Sequence, residues 1–122
     1  MDYNSAGIAE AYYVLMGRKD FAKMEEYLHP SVQLVGPLGT VMGKKEVFEA
    51  AKSFASLIEN LTIRAKFGSG NQAMVVYDFH FPAPVGNSSG AVLLTFQDGL
   101  IIKYELFYDS RPFVKYREEI FS

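Results

Sequence analysis

The apolar positions of this chain follow two periods. Up to about residue 60 most recur at helical spacing, and beyond it they alternate at the spacing of strands, whose successive side chains point to opposite faces. Ile8, Ala11, Tyr12 and Leu15 stand at i, i+3, i+4 and i+7 behind Asn4 and Ser5, either of which can cap, and Gly17 closes this first helix. Asp20 caps a second helix, predicted over Phe21 to Leu28 and ended by Pro30, which pushes the residue before it out of helical geometry. His29 then sits at the negative end of that helix. Val32 to Val35 reads as a short strand and Gly36-Pro37-Leu38-Gly39 as a turn. A third helix follows from Lys44 to about Glu59, with Val47, Ala51, Phe54, Ala55 and Ile58 inward and Lys45, Glu49, Lys52 and Glu59 toward water.

Period two begins at Leu61. Leu61, Ile63, Ala65 and Phe67 alternate with Thr62, Arg64 and Lys66, and Gly68-Ser69-Gly70-Asn71 turns the chain. The next strand, Ala73 to Phe81, sets Val75, Tyr77, Phe79 and Phe81 against Met74, Val76, Asp78 and His80, until Pro82-Ala83-Pro84 ends it. Gly86 to Gly90 reads as a turn. Ala91 to Phe96 is apolar on both alternating sets, as in a strand covered on two sides, and Asp98-Gly99 is a strong hairpin signal leading to Leu100–Tyr108. There Ile102, Tyr104, Leu106 and Tyr108 share one face; Ile101, Lys103, Glu105, Phe107 and Asp109 share the other. Phe113, Tyr116 and Phe121 of the tail are placed to close one end.

Helices first and a meander afterwards make an α+β domain, three N-terminal helices packed on a curved, mostly antiparallel sheet, with residues 1–122 as a single unit. Tyr12, Phe54, Ile58, Tyr77, Phe79, Phe81, Val92, Leu94, Tyr104, Leu106 and Tyr108 would then converge on one interior. Ten Phe and eight Tyr without Trp make that interior rigid, and each buried phenol needs a hydrogen-bond partner. A net charge of −2 with no basic stripe argues against nucleic acid. With no cysteine there is neither disulfide nor thiolate site, and Asp78 with His80 falls short of the three convergent ligands a metal needs, so neither metal nor cofactor is expected. The opening Met-Asp-Tyr-Asn-Ser lacks a basic, apolar leader and no segment has the ~20 apolar residues of a span. The expectation is a soluble cytoplasmic protein.

Several local pieces, in their order and spacing, resemble the nuclear transport factor 2-like superfamily of ketosteroid isomerases and SnoaL-type polyketide cyclases. They are Ala-Tyr-Tyr-Val-Leu at 11–15, Leu28-His29-Pro30-Ser31-Val32, the Gly36–Gly39 turn leading to Gly43-Lys44-Lys45-Glu46, and Asp98-Gly99-Leu100-Ile101-Ile102 running to Phe107-Tyr108-Asp109. The resemblance implies a cone-shaped half-barrel. It also implies, from the isomerases, an oxyanion-binding Tyr on the first helix, which Tyr12 matches, a base that falls at Gly36 and a second donor that falls at Val92. Neither Gly nor Val can move a proton, so isomerase chemistry in that form is not expected. From the cyclases it implies a carboxylate in the cavity, for which Asp109 is the candidate.

Two readings follow. In the first, an apolar, tyrosine-lined pocket binds or transforms a small hydrophobic metabolite, with Tyr12 polarising an oxygen and Asp109, its pKa raised by desolvation, moving the proton of an isomerase, cyclase or dehydratase step. On that assignment Asp109→Asn abolishes turnover. The bland alternative for Asp109 is an exposed ion pair with Arg111 at the sheet rim. The second reading is a non-catalytic domain with a filled cavity that forms a homodimer through the outward sheet face, where Asp78, His80, Lys103 and Glu105 make a polar patch. A cavity of a few hundred Å³ reached by the Tyr12 hydroxyl favours the first; a collapsed interior favours the second.

Overall fold

A computed structural model describes residues 4–116. Helix α1 (Ser5–Gly17) is capped by the Asn4 side chain, which accepts from the Gly7 N–H, and α2 (Phe21–Glu25) by Asp20, which accepts from the Lys23 N–H. The α2 helix is shorter than predicted because β1 (Leu28–Gly36) begins at once, with Pro30 inside the strand rather than after a helix. His29 therefore lies in β1, where its Nδ1 accepts from the Ser31 N–H, and not at a helix end. Strand β2 (Gly39–Met42) pairs back onto β1, and α3 (Lys44–Leu57) carries the chain to β3 (Asn60–Ser69), β4 (Gln72–His80), β5 (Asn87–Gln97) and β6 (Leu100–Tyr108).

The six strands form one sheet in the order β2-β1-β6-β5-β4-β3, open at both edges. Every junction is antiparallel except β1 with β6, which is parallel because the chain leaves β1 and returns beside it through the whole meander. All the helices lie on the same face, α1 against β3 and β4, α3 against β1 and β2, as expected of an α+β half-barrel. Asp98 and Gly99 make the β5–β6 turn with φ of 54° and 79°, the left-handed pair that a two-residue hairpin requires.

Register shifts interrupt β1, β3 and β6, and the β-bulges in β3 and β6 reset the faces that strict alternation predicts. In β3, Ile63 pairs with Tyr77 but Ala65 with Val76, so Arg64 is the extra residue. Leu61 and Ile63 face the helices, whereas Ala65 and Phe67 turn outward and Lys66 turns inward, where its Nζ lies 2.7 Å from Glu10 of α1. In β6 the extra residue is Ile102, so Ile101 is inward together with Tyr104. The strand read as covered on both sides, β5, is buried only through Val92, Leu94 and Phe96; Ala91, Leu93 and Thr95 remain half-exposed. On α1 the buried stripe is Ala9, Tyr12, Tyr13 and Met16, rotated toward Tyr13 from the predicted one.

The stretch read as a turn before β5 is instead strand from Asn87, and it brings Gly90 opposite both Tyr77 and Tyr108. A Cβ at residue 90 would stand 3.0 Å from the Phe107 carbonyl oxygen, 3.1 Å from Cε1 of Tyr77 and 3.2 Å from Cβ of Tyr108. Only glycine leaves both rings where they are. Gly90→Ala should therefore lower stability by about 1–3 kcal/mol, the usual cost of overpacking, read as the shift of the urea midpoint at constant m-value; an unchanged midpoint would show that the two tyrosines are free to retreat.

Candidate functional site

The interior between the helices and the sheet is built of tyrosines and phenylalanines that the period-two strands deliver to one face. Tyr104 of β6 donates a 2.5 Å hydrogen bond to the Tyr12 hydroxyl of α1, and both side chains are buried. This bond joins the first helix to a central strand. Tyr13 meets the Tyr12 ring edge-on at 5.2 Å and stacks on Tyr77 at 5.4 Å; Tyr77 in turn stacks on Phe79 at 4.3 Å. Phe54 of α3 packs edge-on against Phe79 and Phe81.

Beside these rings lies a hollow of about 50 Å³, room for a few water-sized groups rather than for a drug-sized molecule, and short of the few hundred Å³ reached by the Tyr12 hydroxyl that the sequence reading sets as the mark of a binding pocket. Of the residues expected to bind a ligand, Phe54, Tyr77, Phe79, Tyr104, Leu106 and Tyr108 line it. Phe81 lines a second hollow of about 80 Å³ behind it, while Ile58, Val92 and Leu94 are packed into the core and line neither. Tyr12 also stands back from the hollow, its hydroxyl engaged by Tyr104. Tyr13, Ser88, Ser89, Gly90 and Phe113 line it without having been expected there. Tyr13 adjoins Tyr12 and was hidden by the choice of helical stripe; the two serines were hidden in a segment that reads as a turn. Tyr116 and Phe121, expected to close this end with Phe113, have side chains outside the described residues.

The electrostatics of the wall are uniform. Among the described residues, no charged side chain lines the hollow. Burial pushes the Tyr12, Tyr13, Tyr77 and Tyr104 phenols well above their ordinary pKa, with mutual repulsion of neighbouring phenolates adding to the effect at Tyr13, Tyr77 and Tyr104, and burial alone raises Tyr108. All five remain neutral hydrogen-bond donors in the physiological range. Among the described residues, neither the Tyr13 nor the Tyr77 hydroxyl has a hydrogen-bond partner, although both side chains are buried. Two buried donors thus border an apolar space unpaired, each at a cost of about 1–3 kcal/mol to the protein alone.

Asp109 is elsewhere. It is exposed beyond the end of β6, where the Arg111 backbone N–H, Nε and a terminal guanidinium nitrogen donate to it at 2.6–3.1 Å. The Arg111 side-chain hydrogen bonds lower its pKa to about 2, the opposite of the rise that cavity acid–base work needs. The rim ion pair is the arrangement the structure adopts, and Asp109→Asn is expected to leave ligand binding unchanged. Gly36, at the isomerase base position, has Leu106 packed 3.4 Å from where its Cβ would be. Asp78 and His80 form the outward polar patch: Asp78 accepts from Ser89 at 2.6 Å and lies 3.6 Å from Arg64, and His80 lies 2.6 Å from Asn87 and 3.5 Å from Glu59. Among the described residues, no three His, Asp or Glu side chains converge as metal ligands. No helix among them is long and apolar enough to cross a membrane.

Two outcomes test this geometry. Tyr12→Phe should cost about 1–3 kcal/mol by leaving the Tyr104 hydroxyl buried without its acceptor. The double variant Tyr12→Phe/Tyr104→Phe should cost less than the sum of the singles, and strict additivity in a denaturation cycle would refute the coupling. The pH dependence has a definite sign. Phenols whose folded pKa is raised above the unfolded value of about 10 contribute stability that is complete below that pH and is lost as pH rises beyond it. Urea midpoints should therefore hold to about pH 9 and fall from about pH 10, with tyrosinate absorbance from these residues appearing only as the fold opens. Free titration of all tyrosines near pH 10 in the folded state would contradict their burial.

Comparison with known proteins places this geometry. A family model for the SnoaL-like domain matches residues 9–104, from the middle of α1 to Tyr104 and short of Asp109. No curated protein sequence matches the chain. Among solved structures, a Kribbella flavida DSM 17836 protein superposes with a TM-score of 0.85 at 23% identity, covering 93% of either chain. A steroid delta-isomerase from Pseudomonas aeruginosa superposes at 0.80 with 17% identity over 98% of this chain and 90% of its own. An NTF2-like protein of unknown function from Cytophaga hutchinsonii superposes at 0.77 with 15% identity over 92% and 96%. At such identities the structural likenesses speak for the fold alone. With the family match spanning most of the sequence, on a curved α+β frame that these solved structures share, the chain belongs to the SnoaL-like domain family.

Proposed function

We propose that this protein binds a small, uncharged, oxygen-bearing hydrophobic molecule in the tyrosine-lined hollow, and that it does so without the proton transfer of the steroid isomerases. The observation that carries this reading is the pair of buried, unpaired hydroxyls of Tyr13 and Tyr77 on an otherwise apolar wall. An acceptor oxygen on a ligand would complete both, and a ligand lacking one would leave them unpaired. Uncharged ligands follow from a wall that, among the described residues, carries no cation or anion, because a desolvated carboxylate or ammonium would meet no partner there. Among the described residues, proton abstraction has no agent on this wall: the isomerase base and second donor positions hold Gly36 and Val92, and Asp109 is held at the rim by Arg111. Any isomerase, cyclase or dehydratase step would rest on neutral phenols polarising an oxygen.

A second reading concerns the other face of the sheet and is compatible with the first. Phe67 is 63% exposed, Phe107 53% and Met42 66%. Register places them on the outward face in rows: Phe67–Met74–Leu93–Glu105–Val35 and Ala65–Val76–Ala91–Phe107 run across four or five strands, with Met42 beside Gln33 in the next row. We propose that a second copy of the chain covers this face. The 3.1 Å Lys103–Glu105 pair in its middle suits a two-fold contact, since a copy turned about that axis offers Glu to Lys and Lys to Glu.

Native mass spectrometry of the purified protein followed by a thermal-shift screen of metabolites tests the first reading. The expected hits are neutral compounds bearing a carbonyl or hydroxyl, with affinity falling about three- to tenfold in Tyr77→Phe and in Tyr13→Phe, the worth of one hydrogen bond. Hits confined to carboxylates or phosphates, or affinities indifferent to both substitutions, would overturn it. For the second, sedimentation should give a dimer for the natural chain and a monomer for Phe107→Glu; a natural chain that stays monomeric at every concentration refutes the contact.

A further inference from the structure

Phe113 is shared by two hollows. It is on the 3-10 turn Arg111–Tyr116 that follows β6, and it forms part of the wall of both the 50 Å³ hollow and the 80 Å³ hollow bounded by Leu57, Phe81, Pro82, Ala83 and Val85. Its neighbours Arg111, Pro112 and Val114 are exposed, while Phe113 itself is 2% exposed. Among the described side chains of this segment the Phe113 ring is the buried one; the segment lies beyond the last strand and outside the sheet ladder, and the Phe113 N–H donates locally to the Ser110 carbonyl. The ring sits in an aromatic cradle, 5.0 Å from Phe81 and 5.5 Å from Tyr108, both edge to face, and 6.5 Å from Phe54. Such a cradle is complementary to the quadrupole of a flat ring, whichever molecule carries that ring.

We infer that Phe113 is the resident occupant of a ligand seat: an uncharged molecule with one aromatic ring bearing a hydroxyl or carbonyl displaces it, and the two hollows then become one channel. This rests on the binding reading above and names the ligand class. The displacing ring takes over the contacts to Phe81, Tyr108 and Phe54, and its oxygen lies on the side of the Tyr77 and Tyr108 phenols, which line the 50 Å³ hollow with Phe113. Among the described residues neither wall carries a charge, so the ring arrives neutral. The size argument agrees. As separate spaces the hollows are below the range of ligand pockets, and an apolar cavity the size of a missing side chain is known physically to take benzene.

The test is calorimetric titration of p-cresol, toluene and p-toluate into the natural chain, Phe113→Ala and the control Val114→Ala. Phe113→Ala no longer competes for its own seat, so p-cresol should bind it at least about tenfold more tightly than it binds the natural chain, while Val114→Ala matches the natural chain. Phe113→Leu, which keeps an apolar anchor, should show a smaller gain, and Phe113→Trp a loss; these two carry the test if the alanine variant does not fold. Equal affinity for p-cresol in the natural chain and in Phe113→Ala, or an equal gain in Val114→Ala, overturns the displacement. The outcomes also separate the two proposals. Equal affinity of toluene and p-cresol for Phe113→Ala, both tighter than for the natural chain, keeps the displacement and removes the hydroxyl seat of Tyr13 and Tyr77. A constant preference for p-cresol over toluene with no gain in Phe113→Ala keeps the seat and removes the displacement. Tightened binding of p-toluate contradicts the neutral ligand class.

Discussion

A phenol placed inside an apolar core has to find a partner for its hydroxyl or charge the fold for the lack of one, and this constraint governs the whole interior. Tyr12 and Tyr104 solve it with each other, tying α1 to the β6 strand across 92 residues of sequence. Tyr13 and Tyr77, stacked beside them, do not solve it within the described residues. A buried donor left unpaired costs about as much as a large fraction of a point mutation's usual effect, in a fold whose net stability is ordinarily ~5–15 kcal/mol. Unpaired hydroxyls that border a space are therefore informative in a way that apolar walls are not. They state what chemistry would complete the wall.

The same wall bears on the chemistry. Among the described residues it carries no carboxylate, imidazole or amine; its titratable groups are phenols that burial keeps protonated, and a protonated phenol donates but does not abstract. The family frame is shared with proteins such as the Pseudomonas aeruginosa steroid delta-isomerase, yet the frame supplies a cavity and leaves the reaction to the side chains placed in it. Here Leu106 occupies the flank of Gly36, Val92 is sealed in the core, and Asp109 is bound to Arg111 outside.

Much of this was legible in the order of residues, and where it was not the causes are specific. Helix caps at Asn4 and Asp20, the Asp98-Gly99 hairpin and the inward row Val75, Tyr77, Phe79 follow from local chemistry and from period two, which hold wherever the strand is regular. The faces of Phe67 and of Ile101 with Ile102 do not follow, because one extra residue at Arg64 and one at Ile102 invert the parity beyond it, and no residue type announces such a bulge. Pro30 misled because a proline that stops a helix is equally at home in a strand that has no ladder bond at that residue. In the site, six of the ten expected ligand-binding side chains line the hollow, five from strand faces shared with the core and Phe54 from the inward face of α3. Tyr13 and the Ser88–Gly90 segment were missed because α1 is rotated by about one position and because glycine beside serines reads as a turn when its role is to let two tyrosines approach.

The most direct test of the account is a crystal structure of the protein soaked with p-cresol. The account predicts the phenol oxygen within hydrogen-bonding distance of the Tyr77 or Tyr13 hydroxyl, with the ring in the cradle of Phe81 and Tyr108. Bound p-cresol found only on the outer surface, with Tyr13 and Tyr77 hydroxyls paired to the protein's own groups, would contradict it.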